Sequence, residues 1–361
     1  RSMLLLLIPF SLTLSAQTIT RKASVVGNSI NLGFSSSIDA VALTQTLLAT
    51  TASRLNGSEI TIWHVGNNNI TKKASTMRPF VIDNIRSAKL SNTRFVNAYV
   101  SGTVLKLEVC DVSNNGNAIT IKDSKDSDSL SSGVARIISL SPTRFVTTFI
   151  ATADRRLRSI VWDIDNNGVI SRKGSMDIFQ DMIHTGTTPL SSDKFVAAYY
   201  SVELPSAGLV TIFSVNSNGD ISLSGGELVS GHTESIRLAT LTSNRFVYSS
   251  TNENGGDNLL TWNVSDDNVP SPLASTPSAI TNDGAITALN YSNIATAVLE
   301  NSSNTIKINH FKIASDGSFT LKGEKSINAG KHLAVTNLFT TSTSSRIVTA
   351  FVNNNNKLKL I

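Results

Sequence analysis

The sequence predicts an all-β fold, a seven-bladed β-propeller of four-stranded antiparallel blades, and three observations carry that prediction. A cluster of Ser or Thr, then Arg or Lys, then Phe-Val recurs at Arg94-Phe95-Val96, Arg144-Phe145-Val146, Lys194-Phe195-Val196 and Arg245-Phe246-Val247, at spacings of 50, 50 and 51 residues. An aromatic or similar residue closes an apolar run at Trp63, Cys110, Trp162, Phe213, Trp262 and Phe311, spaced 47, 52, 51, 49 and 49 apart. Finally, one strand is in surplus at the start of the repeat series and one is lacking from its last unit. A period near 50 residues holding four short, β-branched strands is the pattern of a propeller blade.

Taken in order from the N-terminus, residues 1–16 stand outside the repeat: Arg1, an apolar stretch from Leu4 to Leu14, then Ser15-Ala16. An apolar run this short fits the core of an export signal and falls short of a membrane span. Cleavage after Ala16 is expected, leaving 17–361 as a single propeller domain. Next comes Ile19-Thr20-Arg21-Lys22-Ala23-Ser24, nearly a copy of the fourth strands Ile70-Thr71-Lys72-Lys73-Ala74-Ser75 and Ile170-Ser171-Arg172-Lys173-Gly174-Ser175, yet no first three strands precede it. It is expected to pair with Lys357-Leu358-Lys359-Leu360-Ile361, the third strand of a seventh unit that has no fourth, and so to close the ring and remove its open edges.

The series of units begins at Leu47-Leu48-Ala49 and continues past the four strong copies through Asn293-Ile294-Ala295 and Arg346-Ile347-Val348, which makes seven. One unit read in full gives strands at 133–140, 144–151, 156–164 and 169–175. The aromatic of the third strand is followed by a turn rich in Asn, Asp and Gly, as in Asn114-Asn115-Gly116, Asn166-Asn167-Gly168, Asn218-Gly219 and Asp316-Gly317; these residues tolerate the left-handed backbone of a tight hairpin. No stretch keeps a 3.6-residue apolar period, so helices are expected to be nearly absent.

Composition agrees with one domain of this kind. The 361 residues are 40% hydrophobic, 6% aromatic and 16% charged, and seven units use nearly all of them. The 31 Lys and Arg against 26 Asp and Glu are spread through the repeats rather than gathered into a patch, which argues against a nucleic-acid partner. Cys110 is the only cysteine, so no intramolecular disulfide forms, and an exported chain of this kind fits a bacterial secreted or periplasmic setting.

Trp162-Asp163 ends a third strand where WD40 repeats carry their Trp-Asp, and Gly231-His232 precedes a first strand where those repeats carry Gly-His. The chain thus resembles a degenerate WD40-like repeat protein, with a period closer to that of kelch repeats but without their Gly-Gly pair. The resemblance implies the propeller fold and names no activity.

Several groups of residues are candidates for chemistry. Asp163, Asp165, Asn167 and Gly168 match the opening of a calcium loop, but Gly174 stands where the closing acid belongs, so a plain hairpin turn is expected. The aromatic series reads as packing between blades rather than as sugar-stacking pockets. Lys72, Lys73, Arg172 and Lys173 read as charges that keep an outer edge from pairing with other chains. The chain has no Gly-x-Ser-x-Gly, His-Glu-x-x-His or Cys-x-x-Cys motif, and no cofactor or metal site is expected. His184, His232 and His332 come from connections leading into first strands and are ligand-binding candidates on one face. Where first strands begin, the aligned residues are Asp39, Arg86, Arg136, Gly186, Arg237, Ala285 and Ala334.

Three guanidiniums at one channel mouth would favour an anionic group. The irregular connections at 123–132, 175–183, 201–208, 251–258 and 275–284 are expected to share this face, away from the repetitive turns. The expected protein is a monomeric, secreted binding module for a cell-surface glycan or protein. A propeller-fold hydrolase or lyase with polar groups at the channel mouth is the other reading.

Overall fold

The computed structural model describes residues 19–29, 38–54, 56–130, 135–152, 155–178, 182–201, 207–230, 233–252, 257–278, 284–300, 305–328, 331–340, 345–353 and 356–361. These form seven four-stranded antiparallel sheets, with no helix among the described residues. Six sheets are built from consecutive strands in simple up-and-down order. The seventh takes its first three strands from the end of the chain, Lys331–Thr340, Ser345–Val352 and Lys357–Leu360, and its fourth from the start, Val25–Ser29. The first strands of neighbouring blades touch one another all the way round, including blade seven against blade one, and so line a central channel.

Closure is therefore as expected in kind, but the closing strand is Val25–Ser29 rather than Ile19–Ser24. Register explains the difference. In blade three, residues 170–175 pair with 160–164, at the far end of the third strand, whereas Met176, Asp177 and Ile178 pair with Ser159, Arg158 and Leu157. Lys357–Leu360 matches the near end of that strand, so its partners are the residues after the Ile-Thr-Arg-Lys-Ala-Ser motif: Val25 opposite Leu360, Val26 opposite Lys359, Ser29 opposite Lys357. Residues 1–18, with the expected signal segment, lie outside the described residues.

Local chemistry sets the hairpins. Between first and second strands of blades two and three a hydroxyl accepts an N–H two residues on, Thr93 N to Ser91 Oγ at 3.2 Å and Thr143 N to Ser141 Oγ at 3.3 Å, while in blade five Thr242 Oγ1 donates to Asn244 Oδ1 at 2.8 Å, so the Ser or Thr ahead of these Arg-Phe-Val triplets closes the turn. Between third and fourth strands the turn closes through Gly168 N to Asp165 O at 3.0 Å with Gly168 at φ 88°, and the copy without glycine uses Asn268 at φ 63°. Asp165 Oδ1 accepts Val169 N at 2.8 Å and Asp163 pairs with Arg144, so the calcium-like sequence is a hairpin.

Cohesion comes mainly from apolar layers between blades. Trp162 and Trp262 are 1% exposed and Phe213 fully buried, each stacked on the Phe of its own second strand with ring centroids 6.3, 6.1 and 4.8 Å apart. Trp162 joins a cluster with Val96, Leu105 and Leu107 of blade two, and Trp262 one with Val196, Val210 and Ile212 of blade four. The third-strand aromatic thus packs on the preceding blade. Burying one such side chain contributes about 1.5–3 kcal/mol.

A polar latch runs the other way. Arg144 holds Asp163 through Nε and Nη2 at 2.6 and 3.0 Å and reaches Asn216 O and Ser217 O in blade four at 2.9 and 3.0 Å. Arg94 makes the same pattern to Asp111 and to Asp165 O and Asn166 O, Lys194 reaches Asn268 Oδ1, and Arg245 reaches Ala314 O and Ser315 O. Arg346 of blade seven reaches Gly66 O at 3.3 Å and Asn67 Oδ1 at 2.7 Å in blade one, fastening the ring shut.

Arg144→Gln removes a bidentate ion pair and two inter-blade bonds, and is expected to destabilise the protein by about 1–3 kcal/mol. Arg172, whose side chain is 40% exposed beside Asp128, serves as the control: Arg172→Gln is expected to change stability by less than about 0.5 kcal/mol. Thermal melts of both variants check this, and equal melting temperatures would contradict the latch.

Candidate functional site

Strand pairing puts the seven aligned first-strand residues on one rung of the ring. Asp39, Arg86, Arg136, Gly186, Arg237, Ala285 and Ala334 stand opposite Thr51, Ala98, Thr148, Ala198, Ser249, Ala297 and Ala350, which are themselves equivalent positions of the second strands. Asp39, Arg86, Arg136 and Arg237, with Ala285 and Ala334, line one cavity of about 180 Å³ in the channel. Leu238, Ile286 and Val335 add apolar wall. Ligand pockets for whole drug-sized molecules run from about 300 Å³, so this cavity suits a small group rather than a large ligand.

The guanidiniums are held in place by main-chain oxygens. Arg136 donates from Nε to Thr185 O at 2.8 Å and from Nη2 to Ile236 O at 3.4 Å, crossing blade four to reach blade five. Arg237 donates to the same Ile236 O at 3.0 Å and to Gly284 O at 3.2 Å in blade six, and Arg86 donates to Ile85 O at 2.6 Å. Asp39 Oδ2 accepts the N–H of Ser87 at 2.6 Å. Gly186 makes the crossing possible: a Cβ there would come within 2.8 Å of Ile236 Cγ2 and 3.1 Å of Ile236 O, so only glycine lets blade five approach this closely.

Carbonyl bonds orient these cations without cancelling their charge. Three Arg face one Asp among the described lining residues. The electrostatics follow from that imbalance. Burial, with Arg237 and Arg86 beside it, pushes Arg136 well below the usual guanidinium range, only partly offset by Asp39. Arg86 is lowered by burial, with Asp39 opposing. A guanidinium stays protonated in proteins, so the cavity keeps its positive charge. Burial also raises Asp39 above the usual carboxylate value, although Arg86, the main-chain N–H groups and Arg136 pull it down.

His184 lies on the strand Met182–Pro189 opposite Tyr200 and His332 on Lys331–Thr340, with nothing described of their side chains, and His232 lies outside the described residues. The connections expected to be irregular are shortened by longer outer strands: Ile119–Ser129, Ile170–Ile178 and Pro270–Ser278 run well into the ranges read as loops, and much of the remainder lies outside the described residues. The main-chain acceptors Thr185 O, Ile236 O and Gly284 O carry no signal in side-chain identity, and only the single glycine of the column, Gly186, hints at the close approach.

No protein-family model and no curated protein sequence matches this chain. Its fold is similar to that of solved structures at low identity. A protein from Lactobacillus plantarum aligns with a TM-score of 0.56 at 11% identity, over 78% of this chain and 85% of that one. The periplasmic gluconolactonase of Pseudomonas aeruginosa aligns with a TM-score of 0.56 at 9% identity, over 79% and 83%. The SQT1 protein of Saccharomyces cerevisiae aligns with a TM-score of 0.52 at 11% identity, over 96% and 98%. What these likenesses share with this chain is the propeller.

Proposed function

We propose that the protein is a binding module whose channel cavity takes the anionic group of its ligand, a carboxylate or sulfate such as an acidic cell-surface glycan or protein carries. The observation that carries this reading is the set of three guanidiniums from blades two, three and five around one small cavity with a single acid among its described lining residues. An oxyanion there would accept several charge-assisted bonds at once from guanidiniums that outnumber the acid in the described lining. Main-chain anchoring supports the same reading, because the donors are positioned before the ligand arrives and little ordering is lost on binding.

A second reading is a hydrolase that acts on a lactone or related ester, with the same Arg group holding the carboxylate formed. Its support is the likeness in fold to the gluconolactonase and a buried acid in the cavity, Asp39, whose carboxyl burial raises above its ordinary value. The two readings share a site and differ in turnover.

Export belongs to the proposal too, supported by the apolar segment 4–14 that the seven described blades do not use. Expressed with its natural start, the protein is expected outside the cytoplasm with an N-terminus near Gln17; mass spectrometry finding an intact Leu4 to Ala16 segment on exported protein would count against it.

An acidic-glycan array run beside a lactone and ester panel tests the site itself. Binding without turnover is expected for the parent, weakening with salt, and the combined change of Arg86, Arg136 and Arg237 to Gln is expected to lower affinity roughly a hundredfold or more. Turnover that needs Asp39 would favour the second reading, and no affinity for any anion would remove both.

Acidity supplies an independent check. As pH falls through the raised Asp39 pKa the cavity loses its carboxylate charge while the Arg stay charged, so anion affinity is expected to rise. Asp39→Asn should bind roughly tenfold tighter than the parent at neutral pH and lose that pH dependence. Parallel pH profiles for the two proteins would show that Asp39 does not face the ligand.

A further inference from the structure

The outer strand of every blade lies at the edge of its sheet, and six of the seven are guarded against pairing with another chain. Ile70–Arg78, Ile119–Ser129, Ile170–Ile178 and Phe319–Asn328 carry cations, at Lys72 and Lys73, Lys122 and Lys125, Arg172 and Lys173, and Lys322 and Lys325. Pro270–Ser278 holds Pro270, Pro272 and Pro277, which cannot donate to a ladder, and Val25–Ser29 has only five residues and follows Arg21 and Lys22. Blade four is the exception. Its outer strand, Ile221–Ser230, is ten residues long and has no Lys, Arg or Pro, with Glu227 its only charge.

The apolar side chains of this strand lie together. Ile221, Leu223 and Leu228 stand opposite Val215, Phe213 and Leu209, alternate residues of the third strand, so they share one face. Five residues separate Leu223 from Leu228, and a register shift between Ile212 and Phe213 supplies the odd one. Phe213 and Val215 belong on that face to the apolar layer against blade three, with Leu209 and Ile221 packed beside them. Leu223 and Leu228 end the layer in the open, 53% and 57% exposed. Beyond the shift the pairing with the third strand runs unbroken from Gly225 to Ser230.

We propose that this strand is a self-association edge, at which a second copy of the chain adds its own Ile221–Ser230 antiparallel across a two-fold axis. The strand's own pattern fits itself as occupant. A two-fold that keeps like faces together sets one residue opposite its copy. With Leu228 there, two exposed leucines meet and Glu227 stands opposite Val229, whereas Glu227 there would set two carboxylates face to face. Main-chain bonds along the ladder hold the pair, and the apolar layer of blade four continues into its copy. The contact is a few rungs wide, at the small end for protein pairs, so the monomer expected from the sequence is the dilute form. This edge is separate from the channel cavity and does not depend on the function proposed for it.

Sedimentation velocity of the whole protein from about 1 to 200 μM tests the pairing, with a reversible dimer of Kd about 10–100 μM expected. Leu228→Lys is expected to weaken the dimer roughly tenfold or more, since two ammonium groups would replace two leucines at the axis. Leu321→Lys serves as the control: it stands opposite Phe311 as Leu223 stands opposite Phe213, is 50% exposed, and lies on a guarded strand, so the dimer should be unchanged. Leu228→Cys should cross-link to its copy on mild oxidation, because residues directly opposite in a ladder are within disulfide reach, while Cys110 is buried. Leu321→Cys should not. Melting temperatures at the dilute end confirm that each variant is folded. A parent that stays monomeric throughout the range, as an edge kept for a different protein would, overturns the proposal. So does a dimer that Leu228→Lys leaves intact, or cross-linking no faster at 228 than at 321.

Discussion

Five of the seven blades are tied to the next by a cation that starts on the second strand, Arg94, Arg144, Lys194, Arg245 or Arg346, and ends on the neighbouring blade's outer turn. The Arg-Phe-Val triplet serves two directions at once. Its Phe faces a core aromatic of the same sheet, while its Arg leaves the sheet to find main-chain oxygens that a tight turn cannot satisfy internally. Arg94 and Arg144 also hold an acid on their own third strand, so the guanidinium is braced before it crosses. Where the cation is absent, as at Leu47, packing substitutes: Leu47 sits against Gly116 of the next turn. The repeated turn geometry thus presents acceptors to a cation in five of the seven blades.

The channel uses the same side chain to a different end. Arg86, Arg136 and Arg237 also end on main-chain oxygens, but in the middle of the ring, where the first strands converge around a small cavity. At the outer turns a latch Arg is compensated by an acid, and the pairing raises its pKa. In the channel, burial and like charges lower it. One residue type therefore appears as a fastener at the rim and as one of several like charges around a cavity at the centre, and the difference is set by what stands beside it.

Much of the architecture was legible because a repeat reports itself: spacing, turn glycines and the surplus strand led to seven blades and to closure without any contact being known. The one misplaced element, the closing strand, shows the limit of that reading. Similarity located the Ile-Thr-Arg-Lys-Ala-Ser motif at 19–24, but antiparallel pairing runs the opposite way along the partner, so the residues that meet Lys357–Leu360 come after the motif. Likewise the outer strand Ile119–Ser129 runs on past its apolar start, because its second half is polar and leaves no hydrophobic trace.

By itself the sequence determined the all-β class, the number of blades, the buried aromatics and the column of residues that meets at the channel, since each depends on alternation and period, which are local properties of the chain. Tertiary structure alone decided what that column is. Whether Arg136 pairs with an acid or ends on Ile236 O, whether Gly186 is a spacer or an accident, and whether four charges from separate blades share one cavity depend on distances across the ring, and no local pattern encodes them. The same holds for the latches: Arg346 and Asn67 lie 279 residues apart in sequence and meet only because the ring closes.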